Sequence, residues 1–511
     1  MKGFVIAGTG SGSGKTTITL GILAYLSKLG YKVAPFKVGP DFIDPGHHTA
    51  ITGKISRNLD SWMLSRETNQ KIFDRGCGDS RDNFAKGCRD SRDNDSPDNY
   101  NISTAADIAV VEGVMGLFDG YSGTSEAGST AQMSKWLNLP VVLVVDARSM
   151  ARSAAAIVQG FENFDPEVKF AGVIFSKTGS LRHYDYLKEA VEANCKMPCL
   201  GHIPRTPEIA MPERHLGLVT SDEHKLSSDL IGKIIDIIDK NTSIKSMVEN
   251  LLYCQTTQKK KTQGKIAQHN RIKIAVARDK AFCFYYQENI EALERYGAEI
   301  VAFSPIQSPA LPSDISGIYL GGGYPELFAQ ELCDNKSLIQ EIRQNSLRGM
   351  PIYGECGGFM YLCSTITITG MNENSTESDK ALTTELSKSP KRYPMTGCFP
   401  FVAVMSKKMR SLGYRQITLR QDTVIGKKGD VLRGHEFHYS SLEDENSNTF
   451  ELKQVYQTTA RNGQEITLNG YQINNTLGSY LHVHFESMEC GAAEAFVDAC
   501  RKFYNLSSKA K

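Results

Sequence analysis

A glycine-rich loop near the N-terminus is the feature that most restricts what this chain can fold into. Residues 6–17 read IAGTGSGSGKTT, between a short apolar run at residues 4–6 and an apolar-periodic segment at residues 18–29. That order predicts a strand, a loop and a helix. Backbone N–H groups in such a loop bind phosphate, because a helix N-terminus favours anions. The stretch therefore predicts an α/β unit around a phosphate site, with a chance match to a glycine motif as the alternative.

The spacing of this loop differs by one residue from the common nucleotide-binding pattern. That pattern places a glycine five positions before Gly14, where this chain has Thr9. Gly8 fits instead if the loop is one residue longer. In this motif a lysine reaches the terminal phosphates and the next hydroxyl binds Mg²⁺. The predicted nucleotide site consists of Gly8, Gly12, Gly14, Lys15, Thr16 and Thr17.

Length and composition limit the class of protein. With 511 residues the chain is expected to hold at least two domains. Its net charge of +1 gives no sign of nucleic-acid binding, and no apolar run approaches the roughly 20 residues of a membrane span. There is no recognisable secretion signal, and the twelve cysteines lack framework spacing. We therefore expect a cytoplasmic protein with free thiols.

Acidic residues follow two of the strands predicted in the first half. Asp41 and Asp44 lie beyond one strand, and Glu112 ends another, with Asp119 in the glycine-rich loop after it. Ligands bind at the carboxyl ends of strands in open α/β sheets, so these groups are candidates for Mg²⁺ or substrate contacts. A simple turn is the alternative for the first pair, since Gly, Pro and Asp are turn residues. Lys37 is a candidate for binding an anionic group or, alternatively, a solvated lysine.

The order of elements predicts the fold class of the first half. Apolar strands alternate with helical segments, including those at residues 125–137, 149–160 and 184–194. This alternation is typical of a doubly wound, mostly parallel sheet.

Composition predicts where the domains end. Residues 1–254 form the first predicted domain, with a polar insertion at about 76–100 in which GCGDSRDN is followed by GCRDSRDN. Residues 255–270 are polar and basic and predict a linker. Residues 271–511 predict a second α/β domain, with another polar insertion at about 371–390.

A strand–turn–helix pattern in the second half places a cysteine at a sharp turn. Residues 349–362 read GMPIYGECGGFMYL, the pattern of a nucleophile elbow with Cys356 as nucleophile. We expect the helix N-terminus behind the thiol to lower its pKa and favour thiolate. Backbone N–H groups of Gly322 or Gly323, with that of Gly357, are candidates for an oxyanion hole. A buried, inert cysteine is the alternative.

A cysteine nucleophile requires a nearby histidine. Residues 433–438 read RGHEFH and residues 478–484 read GSYLHVH, and these motifs offer His435, His438, His482 and His484. The last two are two apart, so on a strand they share one face. The residues alone do not choose among the four.

A triphosphate site and an activated cysteine in one chain together suggest ATP-driven amidation. The cysteine domain would hydrolyse glutamine to ammonia. The other domain would phosphorylate a carboxylate, and ammonia would displace the phosphate. Both sites in one chain would keep ammonia out of bulk water. The alternative from another class is a non-catalytic P-loop binding or regulatory protein with a degenerate glutaminase half. The presence of Lys15, Thr16, Glu112 and Cys356 argues against it.

These motifs resemble the glutamine-dependent cobyrinic acid a,c-diamide synthases across nearly the whole chain. The resemblance is carried by AGTGSGSGKTT, FKVGPDFIDPGHH, RNLDSWM, VVEGVMGLFDG, PERHLGL, ARDKAFCFYY, YGECGGFMYL, LGYR, RGHEFHYS and SYLHVHF. It implies a first half similar to dethiobiotin synthetase, which also has the longer loop. It implies a second half similar to the class I glutamine amidotransferase domain of the cobyric acid synthase type.

The resemblance also implies roles for matching residues. Lys15 and Thr16 would hold ATP and Mg²⁺, with Cys356 as the glutaminase nucleophile and His482 as its base. The implied metal ligands are Thr16, Asp41 and Glu112. The residues implied in substrate and carboxylate activation are Lys37, Asp41, Asp44 and Asp119.

Two departures from the family pattern leave questions open. Amidotransferases of the wider class have a Glu two residues after the histidine, where this chain has His484. The third member of a catalytic triad is therefore undetermined. Relatives end a strand with Asn-Arg, a nucleobase contact, where this chain has Ser176 and Lys177. How the base is recognised is undetermined too.

The implied partners are small molecules, namely ATP, glutamine and an acidic tetrapyrrole, with no nucleic acid and no membrane. A homodimer is one alternative for the assembly. We favour cobyrinate as substrate, because GSGSGKTT, GPDFIDPGHH and NLDSWM look most like that branch. The alternative is a sister activity that amidates Ni-sirohydrochlorin on the path to coenzyme F430.

Overall fold

A computed structural model describes most of the chain. The described residues are 1–78, 105–209, 213–214, 217–218, 226–252, 271–368, 390–444, 452, 454–459, 463–466, 470–487 and 491–509. They separate into two compact units, Met1–Thr262 and Gln263–Lys511. The predicted linker and nearly all of both predicted insertions lie outside the described residues, so those boundaries remain predictions. No described helix is both long and apolar enough to cross a membrane.

The first unit is built on a seven-stranded sheet whose paired strands are all parallel. Its strands are β1 (Lys2–Gly8), β2 (Val33–Val38), β3 (Arg57–Leu59), β4 (Ile108–Gly116), β5 (Val141–Asp146), β6 (Phe170–Thr178) and β7 (Cys199–Pro204). Their order in the sheet is β3-β2-β4-β1-β5-β6-β7. The predicted doubly wound sheet is confirmed.

Helices connect these strands, which are buried on both faces as parallel strands usually are. The helices are α1 (Lys15–Lys28), α2 (Ile43–Thr52), α3 (Arg66–Cys77), α4 (Thr130–Leu137), α5 (Ser153–Phe164), α6 (Leu181–Asn194), α7 (Ser228–Asn241) and α8 (Ile244–Asn250). Two short strands, β8 (Glu213–Arg214) and β9 (Gly217–Leu218), pair separately. The helix predicted at 125–137 begins only at Thr130, because the Ser129 hydroxyl caps it by accepting from Gln132 N.

The position of β1 explains where the glycine-rich loop lies. The chain builds β2, β3 and β4 on one side of β1 and β5, β6 and β7 on the other. The loop after β1 is therefore at the point where the winding of the sheet reverses. Ligands of doubly wound folds bind at this point, beyond the carboxyl ends of the strands.

The second unit contains a six-stranded sheet in the order β11-β10-β12-β13-β23-β22, parallel except for its last pair. A four-stranded sheet (β15-β14-β16-β19) and a five-stranded one (β21-β20-β17-β18-β24) accompany it. The strands are β10 (Ile272–Ala277), β11 (Ala298–Phe303), β12 (Ile315–Leu320), β13 (Ile352–Glu355), β14 (Thr365–Ile368), β15 (Lys391–Pro394), β16 (Phe401–Met405), β17 (Ser411–Leu419), β18 (Val431–His438), β19 (Ser440–Asp444), β20 (Tyr456–Thr459), β21 (Glu465–Ile466), β22 (Gly470–Ile473), β23 (Thr476–Ser479) and β24 (Leu481–Val483).

Within its described residues this unit also contains the helices α9 (Gln287–Arg295), α10 (Ala329–Asp334), α11 (Lys336–Leu347), α12 (Gly357–Leu362) and α13 (Ala492–Lys509). The unit is α/β, as predicted. The late strand predicted to carry two histidines is interrupted at Tyr480, so its two parts belong to different sheets. His484 follows the last residue of β24.

Candidate active site

The backbone of the glycine-rich loop requires glycine at the positions singled out in the sequence. Gly12 and Gly14 have φ angles of +73° and +88°, in the left-handed region. A Cβ on Gly8 would lie 2.2 Å from Ser13 Oγ and 3.0 Å from Lys15 Nζ. The side chains of the loop therefore fold back over Gly8, which supports the longer register.

Lys15 bridges two carbonyl groups across the loop. Its ammonium donates to Gly10 O at 3.0 Å and also to Met115 O. Burial, helped by the nearby Lys37, lowers the pKa of Lys15 to about 8. A bound phosphate would offset both effects, because an opposite charge favours the ammonium form. Thr16 and Thr17 follow on the first turn of α1.

Lys37 is the centre of a buried group of charges at the ends of β2 and β4. The sheet register pairs Lys37 with Glu112, which puts the two side chains next to each other. Lys37 Nζ lies 2.9 Å from Glu112 Oε1 and also bonds Asp44. We call Lys37, Asp44 and Glu112 the Lys37 cluster. The Thr16 hydroxyl donates to Glu112 Oε1 at 2.8 Å and lies 3.4 Å from Asp44 Oδ2.

The pKa values of the Lys37 cluster follow from burial and mutual attraction. Burial raises the pKa of Glu112, but Lys37 and His48 outweigh it and bring the pKa below its usual value. Burial lowers the pKa of Lys37, but the two carboxylates more than reverse this. Burial and the neighbouring carboxylates hold the pKa of Asp44 well above its usual range. Mutual attraction thus favours the charged forms of Lys37 and Glu112, whereas burial and like charges disfavour the charged form of Asp44.

The other two predicted carboxylates close turns. Asp41 Oδ1 accepts from the backbone N–H of Ile43 and Asp44, at 2.8 and 3.1 Å. Its second oxygen lies 3.8 Å from Lys37 Nζ, so one carboxylate serves the turn and faces the cluster. Asp119 Oδ2 accepts from Gly116 N at 2.8 Å on an exposed loop.

Two residues that sequence reasoning missed support Glu112. His48 Nε2 lies 2.8 Å from Glu112 Oε2, and His48 Nδ1 lies 3.1 Å from Ser56 Oγ. Glu112 thereby has one oxygen on His48 and the other on Lys37 and Thr16. The only signal in the sequence was the pair of histidines that ends GPDFIDPGHH.

The oxygen groups beside Thr16 suit Mg²⁺ by their chemistry. Mg²⁺ prefers hard oxygen ligands and is usually held by one or two carboxylates together with substrate phosphates. Thr16, Glu112 and Asp44 supply such oxygens within one small region. Among the described residues, no group of three or more His, Cys, Asp and Glu side chains forms a metal site by itself. A site completed by phosphate oxygens fits both observations.

Lys177 ties the end of β6 to the glycine-rich loop. Its ammonium donates to Gly12 O at 2.6 Å and lies 3.0 Å from Asp146 Oδ2. Ser176 Oγ donates to Ser13 O at 2.6 Å. The pair that replaces Asn-Arg in this chain therefore supports the loop.

Cys356 occupies the turn of an elbow in the second unit. Its φ of +46° is unusual for a residue with a side chain, and strain of this kind is typical of functional sites. Cys356 N donates to Ser479 O at 2.8 Å, and Gly358 N donates to Gly321 O at 2.9 Å. A Cβ on Gly358 would lie 2.2 Å from Leu320 O, so the tight turn needs glycine there.

The prediction of a lowered thiol pKa was wrong. Burial raises the pKa of Cys356 far above its usual value, and the Gly357 N–H reverses only part of this rise. The helix behind the thiol, α12, has only six residues. Cys356 is therefore a thiol in the free protein, and deprotonating it requires a base.

His482 lies on a segment that is tied to the Cys356 elbow at both ends. Before His482, Ser479 O accepts from Cys356 N. After it, Val483 N–H donates to Glu355 Oε1 at 3.0 Å. His482 lies between these two anchors. From the other side, Phe437 O on β18 lies 3.8 Å from Cys356 Sγ, and β18 pairs with β24 beside His482.

The other three histidines have different partners. His435 stacks on His482 with ring centroids 4.8 Å apart, and its Nδ1 lies 2.9 Å from the Tyr286 hydroxyl. His438 Nε2 lies 2.8 Å from Glu436 Oε1. His484 packs 4.8 Å from the Tyr286 ring. The choice of His482 as base stays a prediction.

One candidate donor of the oxyanion hole is already used. Gly322 N donates to Phe284 O at 3.2 Å, so we no longer expect it to bind an oxyanion. The next residue is better placed, because a Cβ on Gly357 would lie 3.1 Å from Gly323 N. Gly323 and Gly357 thus remain the candidate donors.

Each half of the chain matches a protein-family model. The model described as the CobQ/CobB/MinD/ParA nucleotide binding domain matches residues 4–219. The model described as the CobB/CobQ-like glutamine amidotransferase domain matches residues 273–490. These ranges contain all the residues that the two sites bring together.

Curated relatives match along nearly the whole chain. One from Leptospira interrogans serogroup Icterohaemorrhagiae serovar copenhageni is 38% identical and the match covers 97% of this chain and 98% of the relative. One from Caldanaerobacter subterraneus subsp. tengcongensis is 37% identical, with 98% of each chain covered. One from Methanosarcina acetivorans is 38% identical, with 98% and 95% covered. All three are named cobyrinate a,c-diamide synthase.

Proposed function

Since this chain belongs to the family of the cobyrinate a,c-diamide synthases, we propose that it uses ATP and glutamine to amidate the a and c carboxylates of cobyrinate. Its class of activity is that of a glutamine-dependent amidating ligase. The observation that carries the proposal is a glycine-rich loop beside the Lys37 cluster in one unit and a Cys356 elbow beside His482 in the other.

The first unit would transfer a phosphoryl group and then an amide nitrogen. The γ-phosphoryl group of ATP passes to a substrate carboxylate oxygen, and ADP leaves. Ammonia then attacks the acyl carbon, and inorganic phosphate leaves. Chemistry of this kind depends on position and charge more than on covalent groups of the protein. Lys15 would hold the terminal phosphates, and Lys37 would hold an anionic oxygen.

Thr16, Glu112 and Asp44 would hold Mg²⁺ together with phosphate oxygens. When bound, Mg²⁺ offsets the negative charge on the phosphoryl group during transfer. His48 would fix the orientation of Glu112 through the 2.8 Å contact between Nε2 and Oε2. Asp41 keeps its first oxygen on the turn, so it reaches the cluster only with the second.

The second unit would release ammonia from glutamine. His482 takes the Cys356 proton while the sulfur forms a bond to the carboxamide carbon. The proton on His482 then leaves with ammonia as the C–N bond breaks. Water attacks the resulting thioester, and its proton returns through His482 to the sulfur as glutamate leaves. The N–H groups of Gly323 and Gly357 would stabilise the oxyanion in both steps.

Two substitutions test the division of labour. Cys356→Ala is expected to abolish amidation with glutamine but to keep amidation with ammonia. Lys15→Ala is expected to abolish amidation with either nitrogen source while glutamine hydrolysis persists. Product mass and ADP release measure amidation, and glutamate release measures hydrolysis. Matched controls are Cys333→Ala on α10 and Lys28→Ala at the end of α1, which should keep both activities. Loss of amidation with ammonia as well as with glutamine in Cys356→Ala would contradict the proposal.

The tetrapyrrole is tested by competition. Cobyrinate and Ni-sirohydrochlorin are offered together, and the diamide products are separated by mass spectrometry. Predominant diamide formation on cobyrinate is the expected result. Predominant amidation of the nickel compound would overturn the assignment of substrate while leaving the ligase chemistry in place.

A further inference from the structure

Glu355, the residue before the nucleophile, carries a fully buried carboxylate at the end of β13. Three donors hold it. Tyr353 donates its hydroxyl at 2.7 Å and the Val483 N–H donates at 3.0 Å, both to Oε1. Tyr319 donates to Oε2 at 3.0 Å. A carboxylate fixed by three hydrogen bonds is oriented in one direction.

The second oxygen of this carboxylate faces the base of the glutaminase site. His482 Nδ1 lies 3.9 Å from Glu355 Oε2. Hydrogen bonds of catalytic groups are often long in free enzymes and shorten when substrate is bound. Both side chains are almost completely buried, so little water competes for the contact.

His484 stands where the wider amidotransferase class has its third carboxylate, and it packs against Tyr286 instead. We propose that Glu355 is the positioning residue for His482. It would replace that carboxylate from the position before Cys356, instead of from the position two residues after the histidine. It would hold Nδ1 as the protonated nitrogen and leave Nε2 to take the Cys356 proton. It would also stabilise the imidazolium once that proton has been transferred, as the carboxylate of a serine-protease triad does.

The charges around His482 explain why such a group is needed. Burial and the nearby His438 lower the pKa of His482 to about 3. An imidazolium would therefore be costly at this position without an opposite charge. Burial also raises the pKa of Glu355 to about 7, and a positive His482 would favour its carboxylate form. Like the carboxylate of the serine-protease triad, Glu355 would act through its charge and orientation and would not itself take the proton.

The inference rests on the proposed glutaminase site, and its test uses Glu355→Gln in the full-length chain. The amide keeps the size of the side chain but loses the charge and offers N–H where Nδ1 would donate. The turnover number for glutamine hydrolysis is expected to fall about 10²- to 10⁴-fold with little change in KM. Amidation with ammonia should continue. Glu288→Gln, another fully buried glutamate in the same unit, is the matched control and should stay within about threefold of wild type.

A second measurement separates positioning from a general loss of structure. The rate at which iodoacetamide modifies Cys356 is followed against pH by mass spectrometry of its peptide. In Glu355→Gln the rise in reactivity should move upward by about one pH unit, because the imidazolium partner of the thiolate is less stable. The titratable groups that face Glu355 and His482 are Tyr285, Tyr319, Tyr353, Tyr456, His435, Glu436 and His438. They remain in both proteins and so do not account for a difference.

Each outcome decides the matter. Turnover within threefold of wild type, or a large loss with an unshifted alkylation profile, would overturn the role of Glu355. If Glu355→Gln does not fold by circular dichroism, Glu355→Asp replaces it. That variant keeps the charge but withdraws it by one methylene, and unchanged turnover there would equally overturn the role. Continued glutamine hydrolysis by Cys356→Ala would instead overturn the proposed glutaminase site itself.

Discussion

The Lys37 cluster and the Cys356 site both bury several titratable groups, but they stabilise them in opposite ways. In the cluster, opposite charges are in direct contact, with Lys37 Nζ 2.9 Å from Glu112 Oε1. At the Cys356 site the Glu355 carboxyl is held by two tyrosine hydroxyls and a backbone N–H, and His482 Nδ1 lies 3.9 Å from its Oε2. One site is buried and charged, and the other is buried and close to neutral.

The pKa values show the difference. In the cluster, attraction overcomes burial, so the pKa of Glu112 lies below its usual value and that of Lys37 above. At the other site burial dominates. It raises the pKa of Cys356, lowers that of His482 to about 3 and raises that of Glu355 to about 7.

This contrast agrees with the chemistry proposed for each site. Phosphoryl transfer needs charges that are present before the substrate arrives, because they must hold phosphate oxygens from the start. Glutamine hydrolysis needs groups that exchange protons during the reaction, and burial favours the neutral forms of Cys356 and His482 before it begins.

The largest effect is expected when Lys37 is replaced by Met. Its removal leaves Glu112 buried without its cation, and loss of one partner of a buried pair costs about 3–5 kcal/mol. The free energy of unfolding of the first unit should fall by about that amount, and ATP-dependent amidation should be lost. Both tryptophans, Trp62 and Trp136, belong to the first unit, so urea unfolding followed by tryptophan fluorescence reports on this unit alone.

An exposed ion pair in the same unit provides the control. Lys233 lies 2.9 Å from Asp229 on α7, and both side chains are more than half exposed. Lys233→Met should change the free energy of unfolding by less than about 0.5 kcal/mol, as is usual for surface pairs in helices. Equal effects of the two substitutions on the free energy of unfolding would mean that the buried Lys37 cluster stabilises the unit no more than an exposed ion pair does.

Local spacing in the sequence was enough to predict both turns that form the sites. The glycines of the loop and the elbow act through the backbone of a few adjacent residues, so their pattern is visible in one short segment. The partners of Lys37 were harder to predict. Glu112 is 75 residues away, and its contact with Lys37 depends on β2 pairing with β4. The sequence predicted both strands, but it does not encode their neighbours in any local pattern.

Electrostatic properties were the part that sequence reasoning predicted least well. The helix after Cys356 suggested a thiolate, but the pKa of a thiol depends on how completely it is buried. Burial is decided by strands that come from distant parts of the chain, including β18 and β23. Glu355 was overlooked for the same reason, since it reads as one letter in an elbow motif until Val483 and His482 are placed beside it.

A smaller effect, confined to the second unit, is expected from the pH dependence of stability in Glu355→Gln. The folded pKa of Glu355, about 7, lies above the usual 4.5, so the folded state binds more protons than the unfolded state between these values. Stability of the wild type therefore falls as pH rises through that window. The glutamine variant lacks this loss, so its stability relative to wild type should improve by up to roughly 3 kcal/mol between pH 4 and pH 8.

Far-UV circular dichroism follows this unfolding in both units, and tryptophan fluorescence provides an internal reference from the first. The relative gain should appear only in the dichroism signal. A constant difference between the two proteins from pH 4 to pH 8 would contradict a buried carboxyl with a raised pKa. It would also remove the contrast between the two sites, because Glu355 would then be as well compensated as Glu112.

The smallest effect is expected from Gly322→Ala, which changes no charge. A Cβ at Gly322 would lie 2.3 Å from Cε1 of His482, so the imidazole must move while its chemical partners stay intact. A displaced base should lower the turnover number for glutamine about ten- to a hundredfold, or about 1.4–2.7 kcal/mol in activation free energy. Amidation with ammonia should be unchanged, and steady-state assays with the two nitrogen sources measure both. Gly160→Ala, where a Cβ meets nothing within 4 Å, is the control. Full glutaminase activity in Gly322→Ala would show that the rate does not depend on the exact position of the His482 imidazole.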